Sequence, residues 1–140
     1  MTSESTKILF VNTDEEAFQV SKCIAQVLAE LPPVELFHAS DATEALSVVE
    51  REGVDVVVLD NDLLDEKNLF IDGLTGNHPP ILLQTEADNR NDLARRARKD
   101  KPITYIPKPE TIDGIHQTLM LAAAIGIRAK NVGASGGSLH

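Results

Sequence analysis

Apolar residues along the chain fall into five short runs, at 7–11, 34–38, 54–64, 80–84 and 103–106, separated by longer stretches of mixed polarity. Short β-branched runs bounded by turn residues are what strands buried on both faces of a parallel sheet require. The stretches between them carry helical spacing. Ala17, Val20, Ile24, Val27, Leu28 and Leu31 recur at three and four residues, forming one stripe that Pro32 and Pro33 end. Asn12, Thr13 and Asp14 each offer an N-cap for that helix, which starts near Glu15. Asp41 with Glu44 three residues on has the form of a capping box opening a helix over 42–52, and Gly53 stops it. Residues 65–79 are polar, with a weak helical signal only over 67–74, whereas 88–99 predicts a highly charged helix. After Pro107 and Pro109, residues 111–129 predict a last helix of unusually apolar composition.

This alternation predicts an α/β domain, a doubly wound five-stranded parallel sheet with helices on both faces and right-handed crossovers. Two strand orders fit it, the flavodoxin-like 2-1-3-4-5 and a truncated Rossmann arrangement; no Gly-x-Gly-x-x-Gly follows the first strand. Residues 1–6 read as a flexible N-terminus, 7–129 as the domain, and 130–140 as a flexible Gly/Ser-rich tail or the start of a linker.

At 140 residues the chain is the size of one domain. No apolar run approaches the roughly 20 residues of a membrane span. The first six residues lack the basic segment, apolar core and cleavage site of a secretory signal, so a cytoplasmic location is expected. A net charge of −9 disfavours nucleic acid, whose binding is driven by surface cations. Cys23, set among Val20, Ile24 and Val27, reads as a small buried hydrophobe. His38, His78, His116 and His140 are scattered and read as surface or loop residues.

Asp60 ends the third run, at the sheet edge where open α/β folds bind ligands. In such a sheet the ends of strands one, three, four and five lie side by side, which gathers Asn12, Thr13, Asp60, Thr85 and Lys108. A carboxylate, a hydroxyl and an ammonium group converging there suit phosphoryl transfer to the carboxylate.

Leu59-Asp60, Gln84-Thr85, Tyr105-Ile106-Pro107-Lys108-Pro109 and the segment from Asp41 to Leu46 together resemble the receiver domain of two-component response regulators, over residues 7–128. The resemblance implies a signalling domain in a phosphorelay, with no enzymatic activity beyond self-catalysed phosphoryl transfer to Asp60. It implies that Lys108 pairs with the phosphoryl group and that Thr85 donates its hydroxyl to it. Tyr105 would be a rotamer switch, reporting to a face built from the fourth helix, the fifth strand and the final helix. A histidine kinase or phosphotransfer protein is the implied upstream partner, Mg²⁺ the implied cofactor, and the Lys108–Pro109 bond would be cis.

Two features depart from the family. Its magnesium-holding acidic pair aligns with Asn12 and Thr13, leaving Asp60 and, two residues on, Asp62 as the carboxylates for a metal. Asp14 is one residue too far along. Glu86 stands where the family has a small residue. In that light Lys108 also reads as a structural ion pair with Asp60, Thr85 as a satisfied hydroxyl and Tyr105 as an ordinary half-buried aromatic. The departures favour an atypical or pseudo-receiver with impaired Mg-dependent phosphorylation, acting through protein contacts. An ordinary phosphoaccepting receiver is the alternative. A third reading takes Asp60-Asn61-Asp62 as the Asp-x-Asp nucleophile of haloacid-dehalogenase-like phosphatases, although here it ends the third strand and meets Leu63-Leu64. Partner surfaces are legible coarsely: Arg90, Arg95, Arg96, Arg98, Lys99 and Lys101, among Asp88, Asp92 and Asp100, read as solvated charge. Ile112, Ile115, Leu119, Met120, Leu121, Ile125 and Ile127 exceed one stripe, as a homodimer face, a docked domain or deep burial would explain.

Overall fold

The computed structural model describes residues 5–27, 31–63, 65–74, 78–85 and 103–138, with side chains of the last helix described to Asn131. Strands β1 (Thr6–Val11), β2 (Val34–Ala39), β3 (Val56–Asp60), β4 (Ile81–Thr85) and β5 (Ile103–Pro107) are parallel and lie in the order β2-β1-β3-β4-β5. The flavodoxin-like order is therefore the one adopted. Helices α1 (Glu15–Val27), α2 (Ala42–Glu52), α3 (Asp65–Gly73) and α4 (Ile112–Ser138) complete the described elements. The charged segment 88–99, Glu86, Leu28 and Leu64 lie outside the described residues.

Alternation along β3 divides the core. Val57 and Leu59 join the cluster beneath α2 and α3, with Leu9, Val11, Leu83 and Phe70. Val56 and Val58 join the opposite cluster, with Ile8, Phe10, Leu82 and residues of α1 and α4. All five β3 residues are buried, as a strand sandwiched between two helical layers must be. Each such Val or Leu contributes about 1.5–3 kcal/mol by leaving water.

The capping of α2 follows the sequence closely. Asp41 accepts the Glu44 N–H at 2.8 Å, and Gly53 closes the helix at φ 68°, a left-handed backbone that suits glycine. The Glu44 carboxylate reaches one residue further back than a capping box demands, to the Ser40 N–H at 2.8 Å. The Ala42 N–H is taken by Glu66 of α3 at 2.9 Å. That bond and the burial of Phe70 and Ile71 explain why α3 forms despite its weak pattern.

Helix α1 is rotated from the expected stripe. Phe18 and Ser21 are its buried residues, while Val20 and Val27 are 39% and 79% exposed. Phe18, its largest apolar side chain, packs edge-on against Phe10 with ring centroids 5.9 Å apart, and this sets the rotation. Cys23 lies five residues on, about 140° round the helix, and is exposed rather than buried. Asp14 is the cap, accepting the Ala17 N–H at 2.9 Å.

Helix α4 lies on β1 and β3 through Thr118, Leu119, Ala122, Ala123 and Gly126, all buried. A Cβ on Gly126 would stand 2.6 Å from Thr6 Cγ2 and 3.3 Å from Val56 Cγ1, so only glycine permits this approach. Ile115, Met120 and Ile125 pack on the same core, which absorbs much of the apolar excess. The exposed Ile112 and Leu121 are nine residues apart, about half a turn round the helix, and form no single patch. The α4 backbone continues to Ser138, past the end expected at 129, because the Gly/Ser segment contains no proline and glycine weakens a helix without ending it. The Lys108–Pro109 bond is trans, as are all described peptide bonds, in place of the cis bond the resemblance implied. Trans is the lower-energy form by about 0.5–1 kcal/mol. No described helix is long and apolar enough to cross a membrane.

Candidate functional site

Asp60, the last residue of β3, is 8% exposed. The β4–β5 pairing carries Lys108 to it: the Lys108 N–H donates to the Thr85 carbonyl at 3.0 Å, one residue beyond the end of β5. From there Lys108 Nζ lies 3.2 Å from Asp60 Oδ2 and 3.5 Å from Oδ1. A single 3-10 turn over Asn61–Leu63 brings Asp62 back over the strand end. Its N–H donates to Asp60 Oδ1 at 2.9 Å, and its Oδ2 accepts from Lys108 Nζ at 2.9 Å. The Asp62 contact is the shorter, but its side chain is 61% exposed against 12% for Asp60, so water screens it more. The hydrogen bond to Asp62 holds the Lys108 ammonium above the ordinary lysine range; partial burial opposes this and the Asp60 carboxylate adds to it.

Thr85 ends β4 beside Asp60 and is 2% exposed. Tyr105 is half-buried against the cluster under α2 and α3, and burial raises its hydroxyl above the ordinary value. A cleft of about 830 Å³ opens next to Lys108, lined by Thr85, Ile106, Pro109 and by Gly114, Gln117 and Leu121 of α4.

Asn12 follows β1. Its register, Phe10 against Val58 and Val11 against Leu59, places Asn12 next to Asp60. It is 7% exposed. Asn12 Oδ1 accepts the Asp14 N–H at 3.1 Å and lies 3.0 Å from His38 Nε2, which is also 3.1 Å from the Asn12 carbonyl oxygen. The His38 ring stacks on Phe18, with centroids 4.8 Å apart and planes 16° from parallel. His38 is thus a half-buried member of β2, correcting its reading as a surface residue. Its strand position opposite buried Phe10 was the available signal. Thr13 is exposed.

The structure therefore joins Asp60, Lys108 and Asp62 in direct contact, and sets Thr85 and Asn12 at the same sheet edge. These donors do not fit Mg²⁺, which is held by one or two carboxylates with open oxygens. Lys108 Nζ already lies against both the Asp60 and the Asp62 carboxylates, where a cation would have to displace it, and Asn12 and Thr13 add no charge. Among the described residues no cluster of three or more His, Cys, Asp or Glu is placed to hold a metal.

No protein-family model matches the chain. It is 28% identical over 106 residues to the sensory transduction protein LytR of Streptococcus agalactiae serotype V, across 74% of this chain and 42% of that relative's length. The chain thus matches less than half of the relative. The chemotaxis response regulator CheY4 of Vibrio cholerae has a TM-score of 0.64 at 21% identity, covering 85% of this chain and 99% of that one. The phosphorylated cyanobacterial phytochrome response regulator RcpA has a TM-score of 0.63 at 16% identity, covering 84% and 90%. The fold is that of response-regulator receiver domains, as the motifs around Asp60, Thr85 and Lys108 led one to expect.

Proposed function

We propose that this chain is a receiver-type signalling domain of a two-component pathway, impaired in Mg-dependent phosphorylation and acting through protein contacts. One observation carries the reading: Lys108 Nζ and the Asp62 N–H engage the Asp60 carboxylate, while Asn12 and Thr13 stand where metal-holding acids are expected. Lys108 offsets one of the two carboxylates from within the site. A histidine kinase or phosphotransfer protein is the upstream partner this role implies, in the cytoplasm. Downstream contact with another protein or a second copy is assigned to the side formed by β5, α4 and the segment 88–99, the last of which lies outside the described residues. The net charge of −9 argues against nucleic acid as a direct ligand.

Asp60, Lys108 and Thr85 nonetheless retain the placement a phosphoacceptor site needs, which supports ordinary phosphorylation of Asp60 as the second reading. Incubation with acetyl phosphate and MgCl₂ followed by intact-mass measurement separates the two. The expected result is no adduct. An adduct of one phosphoryl mass that disappears in Asp60→Asn would establish the phosphoaccepting reading instead, and sustained phosphate release would establish a phosphatase.

A further inference from the structure

The Asn12 side chain can be oriented from its partners alone. The Asp14 backbone N–H at 3.1 Å is a donor and requires an acceptor, so the amide atom facing it is Oδ1. His38 Nε2, 3.0 Å from the same oxygen and 3.1 Å from the Asn12 carbonyl oxygen, meets only acceptors and must therefore carry a hydrogen. Stacking on Phe18 holds the ring in that pose. A carbonyl oxygen has two lone pairs; on Asn12 Oδ1 one meets the Asp14 N–H and the other faces the hydrogen that His38 Nε2 shares with the Asn12 carbonyl oxygen.

This bears directly on Asp60. Asn12 is the register neighbour of Asp60 and the residue from which an amide oxygen would most readily reach a cation bound there. With Oδ1 committed, the polar atoms Asn12 has left are N–H donors, which suit a carboxylate or phosphoryl oxygen and repel a metal. We infer that His38 is a positioning residue that closes the Asn12 corner of the Asp60 site to divalent cations, leaving it a donor for oxyanions. The inference rests on the proposed metal-impaired receiver, and adds to it the residue that enforces the impairment. Asn12 lacks charge, and His38 also occupies the Oδ1 lone pair that the Asp14 N–H leaves.

The probe is Mn²⁺, titrated into the full chain and followed by water-proton relaxation. Wild type is expected to show no saturable site. Asn12→Asp restores a carboxylate and should create one. Asn12→Asp with His38→Phe, which keeps the stacked ring and removes the donor, should bind Mn²⁺ several-fold more tightly than Asn12→Asp alone, because the oxygen lone pair that faced His38 is then open to the metal. Asn12→Asp with His38→Gln retains a neutral N–H donor and should match Asn12→Asp. Equal affinities in Asn12→Asp with and without His38→Phe overturn the role of His38 while leaving the metal-impaired reading intact. A saturable wild-type site abolished by Asp60→Asn overturns both. Should the His38 variants fail to fold, the ¹⁵N spectrum of the wild-type imidazole decides: hydrogen on Nε2 is expected, and a neutral ring carrying it only on Nδ1 overturns the inference.

Discussion

Lys108 answers to two carboxylates, and the less exposed one governs its energetic weight. Asp60 is nearly out of water and would be left with the Asp62 N–H as its described donor if the ammonium were removed. Lys108→Met is therefore expected to lower stability at neutral pH by about 1 kcal/mol, a value discounted because the lysine side chain is 39% exposed. The sign of the pH dependence follows from the raised Lys108 value. The contribution is fully present below the ordinary lysine value of 10.5 and is lost as pH rises through the higher folded one. Urea midpoints of wild type and Lys108→Met should thus differ by a constant amount from neutral pH to about 10 and converge above it. A gap that persists through the alkaline range would show the contact not to be ionic. Tyr105, also raised, titrates in the same alkaline region, and because both proteins retain it, it cancels from the difference. The meeting of Asp60, Thr85 and Lys108 was legible from sequence because Asp60 and Thr85 end strands and Lys108 directly follows one, where the fold alone decides the neighbours. His38 was not, because its partners Asn12 and Phe18 come from two other elements.

Elements with internally consistent signals formed where expected, and those decided by tertiary contact did not. Asp41 and Gly53 fix α2 from within, so its bounds are those the sequence predicts. The sequence of helix α1 reads as a single stripe through Val20 and Val27, and Phe18 packing on Phe10 rotates the helix away from it, turning Cys23 outward. The approach of α4 to the sheet was likewise hidden, since a glycine inside a helix reads as a weakness rather than as a contact. Gly126→Ala tests that contact. Overpacking against Thr6 and Val56 costs about 1–3 kcal/mol, and the gain in helix propensity returns at most about 1. A net loss of stability is expected in chemical denaturation. Thr6→Ser removes Cγ2, the atom that would lie 2.6 Å from the new methyl group, so the double variant should recover part of the loss. A Gly126→Ala protein as stable as wild type would mean that α4 sits further from β1.

At the scale of the whole molecule, the proposed signalling by protein contact has to be reconciled with a net charge of −9. Two copies of so acidic a chain repel each other over about 10 Å at 0.1 M ionic strength, and over only about 3 Å at 1 M. Among the described residues the proposed contact side offers little apolar area to offset this: β5 is an edge strand, Leu121 is 40% exposed, and Ile112 points elsewhere round α4. A homodimer through β5 and α4 must therefore strengthen with salt, whereas a basic partner would bind more weakly as salt rises. Light scattering at high protein concentration, at about 0.05 M and about 0.5 M salt, separates these cases. If the partner is a second copy, the mass rises toward a dimer at the higher salt, and Leu121→Glu returns it to a monomer at both. A monomer under every condition removes the homodimer. The contact side is then left to a different protein.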